Sequence, residues 1–116
     1  MNELRYFTRE EFVCSETGEE DMKEGFLNAL DALRGICNFP FHINSGYRSV
    51  NHTAEASKDE PGWHTKGLAA DIRVNGGEQR YLLVQRALEM GFSGIGIGKT
   101  YVHLDLRSTD EMLWVY

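Results

Sequence analysis

The sequence predicts an α+β domain, with helical segments first and then short strands mixed with one further helix. Two stretches carry this reading. Residues 21–36 place Met22, Phe26, Leu27, Leu30, Leu33 and Ile36 at helical spacing, which makes a single apolar stripe. Residues 101–106 alternate, with Val102, Leu104 and Leu106 on one face and His103 and Asp105 on the other, the pattern of a half-buried strand. The 116 residues and 13.2 kDa fit one domain, 1–116. A chain of this size buries roughly two thirds of its unfolded surface, enough for a core without disulfide staples.

The remaining elements follow in order. Thr8 caps a short helix and Glu11 reaches back to it, the capping-box pattern. In the long helix, Asp21 at the start and Arg34 near the end suit the helix dipole, and Asn38 and Pro40 stop it. Phe41-His42-Ile43-Asn44 reads as a short strand running into Ser45-Gly46-Tyr47-Arg48-Ser49. Residues 50–62 are polar and irregular, with a loop at Lys58-Asp59-Glu60-Pro61-Gly62. Leu68 to Val74 reads as a strand carrying Ala69 and Asp71, followed by a turn at Asn75-Gly76-Gly77. Glu78 to Met90 is an amphipathic helix with Leu82, Leu83, Ala87 and Leu88 on its apolar side, closed by Gly91. Ile95 and Ile97 then alternate with glycines. The sequence has no internal repeat, low-complexity tract or linker.

Composition excludes several classes. The net charge of −6 and pI of about 5.1 give no basic footprint, so no nucleic-acid partner is expected. No stretch approaches the roughly 18 apolar residues of a membrane span. The opening MNELRYFTREEF has no apolar segment behind basic residues, so no signal peptide is expected. Synthesis in the cytoplasm follows, and an extracellular role would need release or carriage. Cys14 and Cys37 form no CxxC pair and are expected as two reduced, buried thiols. A compact monomer is the default expectation.

His64, Asp71 and His103 stand out chemically. Two imidazoles and one carboxylate are a common ligand set for catalytic zinc, with the fourth tetrahedral position left to water. Such an ion polarises a carbonyl and lowers the pKa of water to about 7. Residue types alone also fit a bland reading: a loop histidine, a strand-end aspartate and a half-buried strand histidine.

The local sequence adds to this. His64-Thr-Lys-Gly67-Leu-Ala69-Ala-Asp71 fits HxxGxAxD and resembles the signature of the zinc D-Ala-D-Ala carboxypeptidase-like peptidases, whose wider group includes lysostaphin-type enzymes and the hedgehog domain. Gly67 lets the chain turn sharply between the two ligand positions, and Ala69 leaves room for close packing. Ser45-Gly46-Tyr47-Arg48-Ser49 resembles the SxxR segment of the same family. Tyr101-Val-His103-Leu-Asp105-Leu-Arg107 resembles the VHxDxR strand of a bacterial and phage branch, and Tyr6-Phe7-Thr8-Arg9-Glu10-Glu11-Phe12 resembles that branch's opening. The resemblance spans nearly the whole chain. It implies a small antiparallel sheet flanked by helices and carrying a zinc site, with His64, Asp71 and His103 as the Zn2+ ligands.

Further roles are implied in the same way. Arg48 matches the family's substrate arginine, which grips a peptide carboxylate or stabilises an oxyanion; its bland alternative is a surface salt bridge. Ser45 matches the family's serine, orienting Arg48 or the substrate. The pocket around Tyr47, Trp63 and the 50–62 loop would set specificity. A general base is less defined. Related enzymes carry an acid three residues before the last histidine ligand, and Thr100 stands there. Asp105 shares a strand face with His103 and could be the base, or could hold an imidazole in place. Glu60 and His52 are further candidates. The family's serine two residues before the first histidine is Gly62 in this chain, followed by Trp63. His42 reads as a strand histidine, and Trp114 and Tyr116 as packing residues.

The resemblance implies a zinc metallopeptidase that hydrolyses amide bonds in peptidoglycan stem peptides. The bond is either a terminal D-Ala-D-Ala linkage or an internal one, as in phage endolysins of this fold, and a phage or prophage origin suits such a minimal domain. The competing reading is a non-catalytic zinc-binding structural or peptide-binding module. A metal-free interaction domain finds no support in an exposed apolar run, basic stripe or heptad seam.

Overall fold

The computed structural model describes residues 3–56 and 62–116. Helix α1, Glu24–Cys37, forms on the expected stripe and buries Phe26, Leu27, Leu30, Leu33 and Cys37. It begins after Lys23, so Asp21 and Met22 precede it. Asn38 ends it in the left-handed conformation (φ 58°), with its N–H donating to the Arg34 carbonyl at 3.2 Å. Ile36 lies off the stripe and is 53% exposed, because the stripe runs on from Leu33 by four residues to Cys37. Ahead of the helix, residues Arg9–Phe12 form one 3-10 turn, and the Glu11 carboxylate accepts the Thr8 N–H at 2.7 Å.

The strands are β1 His42–Ser45, β2 Ala69–Arg73, β3 Gly94–Ile97, β4 Tyr101–Asp105 and β5 Met112–Val115. They form one sheet in the order β1-β2-β4-β3-β5. The sheet is mixed rather than wholly antiparallel. β3 and β4 make a hairpin, and the chain then folds back to lay β5 parallel to β3 on its outer edge. The sequence reading missed β5, and also the short helix α2, Thr53–Ala56, inside the stretch read as irregular. The expected loop residues 57–61, Glu60 among them, lie outside the described residues. Helix α3, Gly77–Met90, ends at Gly91 with φ 88°. It buries Leu83 and Ala87, and the next 100° step turns Leu88 outward, leaving it exposed.

Helices α1 and α3 pack on each other, and their apolar residues share a core with Ile72, Ile95, Val102 and Leu104 of the sheet. Phe7, Phe12, Phe39 and Phe41 stack at one side of that core. Cys14 and Cys37 are buried and unpaired, and burial pushes the Cys37 thiol up to about 11.

The opposite face of the sheet holds the polar residues. Ser45 pairs with Asp71, Asp71 with His103, His103 with Gly96, and Gly96 with Trp114. One rung therefore crosses all five strands, and its members share a face because side chains alternate along each strand. On β3 that face is bare. A Cβ on Gly94 would collide with the Asp105 carboxylate, and one on Gly96 would lie 2.7 Å from the Trp114 indole. One on Gly98, just past the strand, would lie 2.5 Å from the Tyr101 ring. The alternation of isoleucine and glycine thus gives β3 a core face and an empty track over which neighbouring side chains lean. Gly67, with φ 74°, supplies the expected sharp turn before β2, and a Cβ there would strike the Asp21 carbonyl oxygen.

Denaturant unfolding separates these glycines. Gly94→Ala is expected to lower stability by about 1–3 kcal/mol through overpacking against Asp105. Gly25→Ala, in α1 with open space at its Cβ, is expected to raise it by up to about 1 kcal/mol.

Candidate metal centre

His64 lies in the turn before β2, and Asp71 and His103 face each other on paired strands β2 and β4. Each imidazole is held from behind. His64 Nδ1 is 2.8 Å from the Gly46 carbonyl oxygen, which only accepts, so Nδ1 carries the proton and donates. Its Nε2 then points at Asp71 Oδ1, 3.3 Å away. His103 Nε2 lies 2.7 Å from Asp105 Oδ2, leaving Nδ1 at 3.0 Å from the same Asp71 Oδ1. The two histidines present opposite ring nitrogens to one carboxylate because their supports come from different sides.

This donor set fits a metal ion. One ligand atom from each of the three residues lies within 4.8 Å of the others. With zinc bonds of about 2.0–2.1 Å, tetrahedral ligands sit about 3.3 Å apart, close to both imidazole–carboxylate separations. Two imidazole nitrogens and one carboxylate oxygen suit zinc in ligand type as well. All three residues are buried, so the group is shielded from bulk water on the sheet side.

The charges are tightly coupled. Burial alone would raise the Asp71 carboxyl, but the His103 and His64 imidazoles against it hold it well below the usual carboxylate range. Burial alone would lower the His103 imidazole, and its bonds to Asp105 and Asp71 outweigh that and raise it. Asp105 is fully buried (0% exposed), yet its carboxyl is brought down to about 2 by Arg107 and His103. Arg107 grips Asp105 twice, Nε to Oδ1 at 2.9 Å and Nη2 to Oδ2 at 2.7 Å, and its backbone N–H adds a third bond at 3.1 Å.

A cleft of about 340 Å³ opens in front of the three ligands. Arg48 lines it. Its Nε donates to Ser45 Oγ at 3.1 Å, its Nη2 sits 3.4 Å from Asp71 Oδ2, and its Nη1 sits 3.6 Å from Glu55 Oε2. Arg48 is thus part-buried at the cleft, where it pairs with Asp71 and Glu55. Trp63 lines the cleft as expected, with the Lys66 ammonium 4.2 Å over its ring. Tyr47 does not line it; its side chain packs against the hydrophobic core, and its N–H donates to the Phe12 carbonyl at 2.8 Å. His52 turns away to pair with Glu16 at 3.2 Å, and His42 is exposed on β1. Thr100 is an exposed turn residue whose carbonyl accepts the Val74 N–H.

Five cleft or support residues escaped the sequence reading. Arg107 stood inside a quoted motif without a role. Glu55 lay in the stretch read as irregular; its buried carboxylate accepts the Gly62 N–H at 2.8 Å and lines the cleft. Tyr101, Trp114 and Tyr116 also line it, and Trp114 and Tyr116, read as packing residues, pack there against His103 and Tyr101. The period-two spacing of 114 and 116 was the available signal, and it shows only once β5 is recognised as a strand.

The Peptidase M15 family model matches residues 5–105, most of the chain. Comparison with curated proteins gives no match. No helix among the described residues is long and apolar enough to cross a membrane.

Two measurements test the centre. Asp105→Asn is expected to weaken zinc binding about 10–100-fold in competition titrations, because His103 loses the partner that fixes its ring. Ligand imidazoles must be unprotonated to bind, and the raised His103 pKa makes the proton a strong competitor. Apparent affinity is therefore expected to fall as pH drops, about tenfold per unit for each proton displaced, and to level off above the His103 pKa.

Proposed function

The chain belongs to the Peptidase M15 family, and from that premise we propose that it is a zinc-dependent metallopeptidase that hydrolyses amide bonds in peptidoglycan stem peptides. The observation that carries this is the pairing of a three-ligand group with Arg48 in one cleft. His64, Asp71 and His103 would hold the zinc ion, which would supply Lewis-acid chemistry at an amide carbonyl and at water.

The chain's own residues supply the rest. Arg48, steadied through Ser45, keeps guanidinium N–H groups facing the cleft, since its contacts to Asp71 and Glu55 are longer than close charge-assisted bonds of about 2.7–2.9 Å. It grips a carboxylate of the stem peptide. Asp105 orients His103, because close bonds to His103 and Arg107 at 2.7 Å hold its Oδ2 and it is not among the residues that line the cleft. Among the described residues lining the cleft, Glu55 is the carboxylate outside the ligand set, and we assign it the proton-accepting role. Terminal D-Ala-D-Ala cleavage and internal endopeptidase cleavage both fit this arrangement. The substrate lies in the cell wall, reached after release from the cell or on a phage particle.

Digestion of purified sacculi with the zinc-loaded protein, read by mass spectrometry, is expected to release peptides with new amino groups. Absence of any released product overturns the peptidase reading in favour of a non-catalytic zinc module. Glu55→Gln is expected to lower kcat by about 10²–10⁴-fold while zinc stays bound. Arg48→Ala is expected to raise KM for substrates ending in a free carboxylate.

A further inference from the structure

One wall of the cleft is unexplained by metal binding or by the grip of Arg48. Tyr101 from β4, with Trp114 from β5 and Tyr116 just beyond it, stands along the side nearest the sheet edge. The Trp114 ring lies 5.3 Å from the His103 ring although their backbones are two strands apart, because the indole leans across bare Gly96. Tyr116 continues the surface, 6.1 Å from Trp114 and 5.2 Å from Tyr101. Arg107, fixed on Asp105, stands 5.0 Å from the Trp114 ring and braces it. None of these rings belongs to the hydrophobic core. The wall also lies largely outside the stretch that carries the family match, which ends at Asp105.

The chemistry of the wall narrows what it takes. Among the described residues, the cleft lining contains no aliphatic side chain. A pocket for an aliphatic peptide side chain would be lined by leucine, isoleucine or valine. Here the apolar surface consists of aromatic faces that end in hydroxyl or indole N–H groups. Such a surface matches a ligand with flat C–H faces and a polar rim, which describes a pyranose sugar better than an alkyl group.

We infer that Trp114 and Tyr116, with Tyr101, form a subsite for the acetamido sugar to which a peptidoglycan stem peptide is attached. This rests on the peptidase reading and adds a preference to it: the protein acts on sugar-bearing stem peptides ahead of free ones. The sugar stacks on the wall while the peptide extends past the ligand group toward Arg48.

The test compares a stem peptide carrying N-acetylmuramic acid with the same peptide free. For the native zinc-loaded chain, kcat/KM is expected to be about tenfold higher for the sugar-bearing form, the scale of one good stacking contact. That ratio is expected to fall to about one in Trp114→Leu and in Tyr116→Leu, and to be partly kept in Trp114→Phe, which preserves a ring and guards against simple misfolding. A native ratio near one overturns the subsite while leaving the peptidase reading intact, as does a ratio unchanged in both leucine variants. If neither substrate is hydrolysed, the peptidase reading fails, and calorimetry with the same two peptides judges the subsite alone. Tighter binding of the sugar-bearing form that is lost in Tyr116→Leu then supports it, and equal binding overturns it.

Discussion

Asp71 meets two imidazoles at a single oxygen because strand register leaves it no other place. β2 and β4 pair so that Asp71 lies opposite His103, and the turn through Gly67 brings His64 round to the other side. A slip of one residue between these strands would put Asp71 and His103 on opposite faces of the sheet and carry either Ile72 or Leu104 out of the core. The buried apolar residues of the same strands oppose that slip, so the packing of the core on one face fixes the ligand set on the other. Hydrophobic burial and metal chemistry thus depend on one alignment. The imidazole–carboxylate contacts are satisfied within the chain, which lets three buried polar groups persist beside a hydrophobic core.

The second determinant is the emptiness of β3. Asp105 can reach under His103, and Trp114 can lean toward it, because Gly94 and Gly96 carry no side chains on that face. Isoleucines on the other face hold the strand in the core. Arg107 completes the support: with its positive charge against Asp105, the buried carboxylate stays ionised and anchors His103. The chain therefore surrounds a functional group with fixed dipoles and charges rather than leaving its orientation to solvent.

Much of this was legible in the sequence where local pattern and chemistry agree. The long helix followed from its apolar stripe and β4 from its alternation, while the candidate ligand group followed from the resemblance of the HxxGxAxD and VHxDxR segments to the peptidase family. The turn at Gly67 was legible because a sharp reversal between two ligands demands it. Ser45 was placed beside Arg48, one of the two roles the sequence allowed it. What escaped depends on nonlocal contacts. β5 is only four residues long and is placed by a nonlocal pairing with β3, so its strand-prone Trp114 and Val115 do not reveal a partner by themselves. Glu55 sits in a polar stretch, and only the fold carries it to the cleft. The sequence left two readings of Asp105 open, and the position of Arg107 over its carboxylate is visible only in the fold. Tyr47 looked like a cleft residue from its neighbours in sequence, yet its side chain packs against the core.

The account rests most directly on one metal ion held by Asp71 and His103 of one rung together with His64 from the turn before β2. The decisive measurement is zinc content by inductively coupled plasma mass spectrometry, made on tag-free native protein and on Asp71→Ala and His103→Ala after zinc loading and dialysis. The account predicts about one zinc per native chain and a large loss in both variants that keep their far-ultraviolet circular dichroism. A native chain that retains no zinc, or folded variants that retain as much as the native chain, would contradict it.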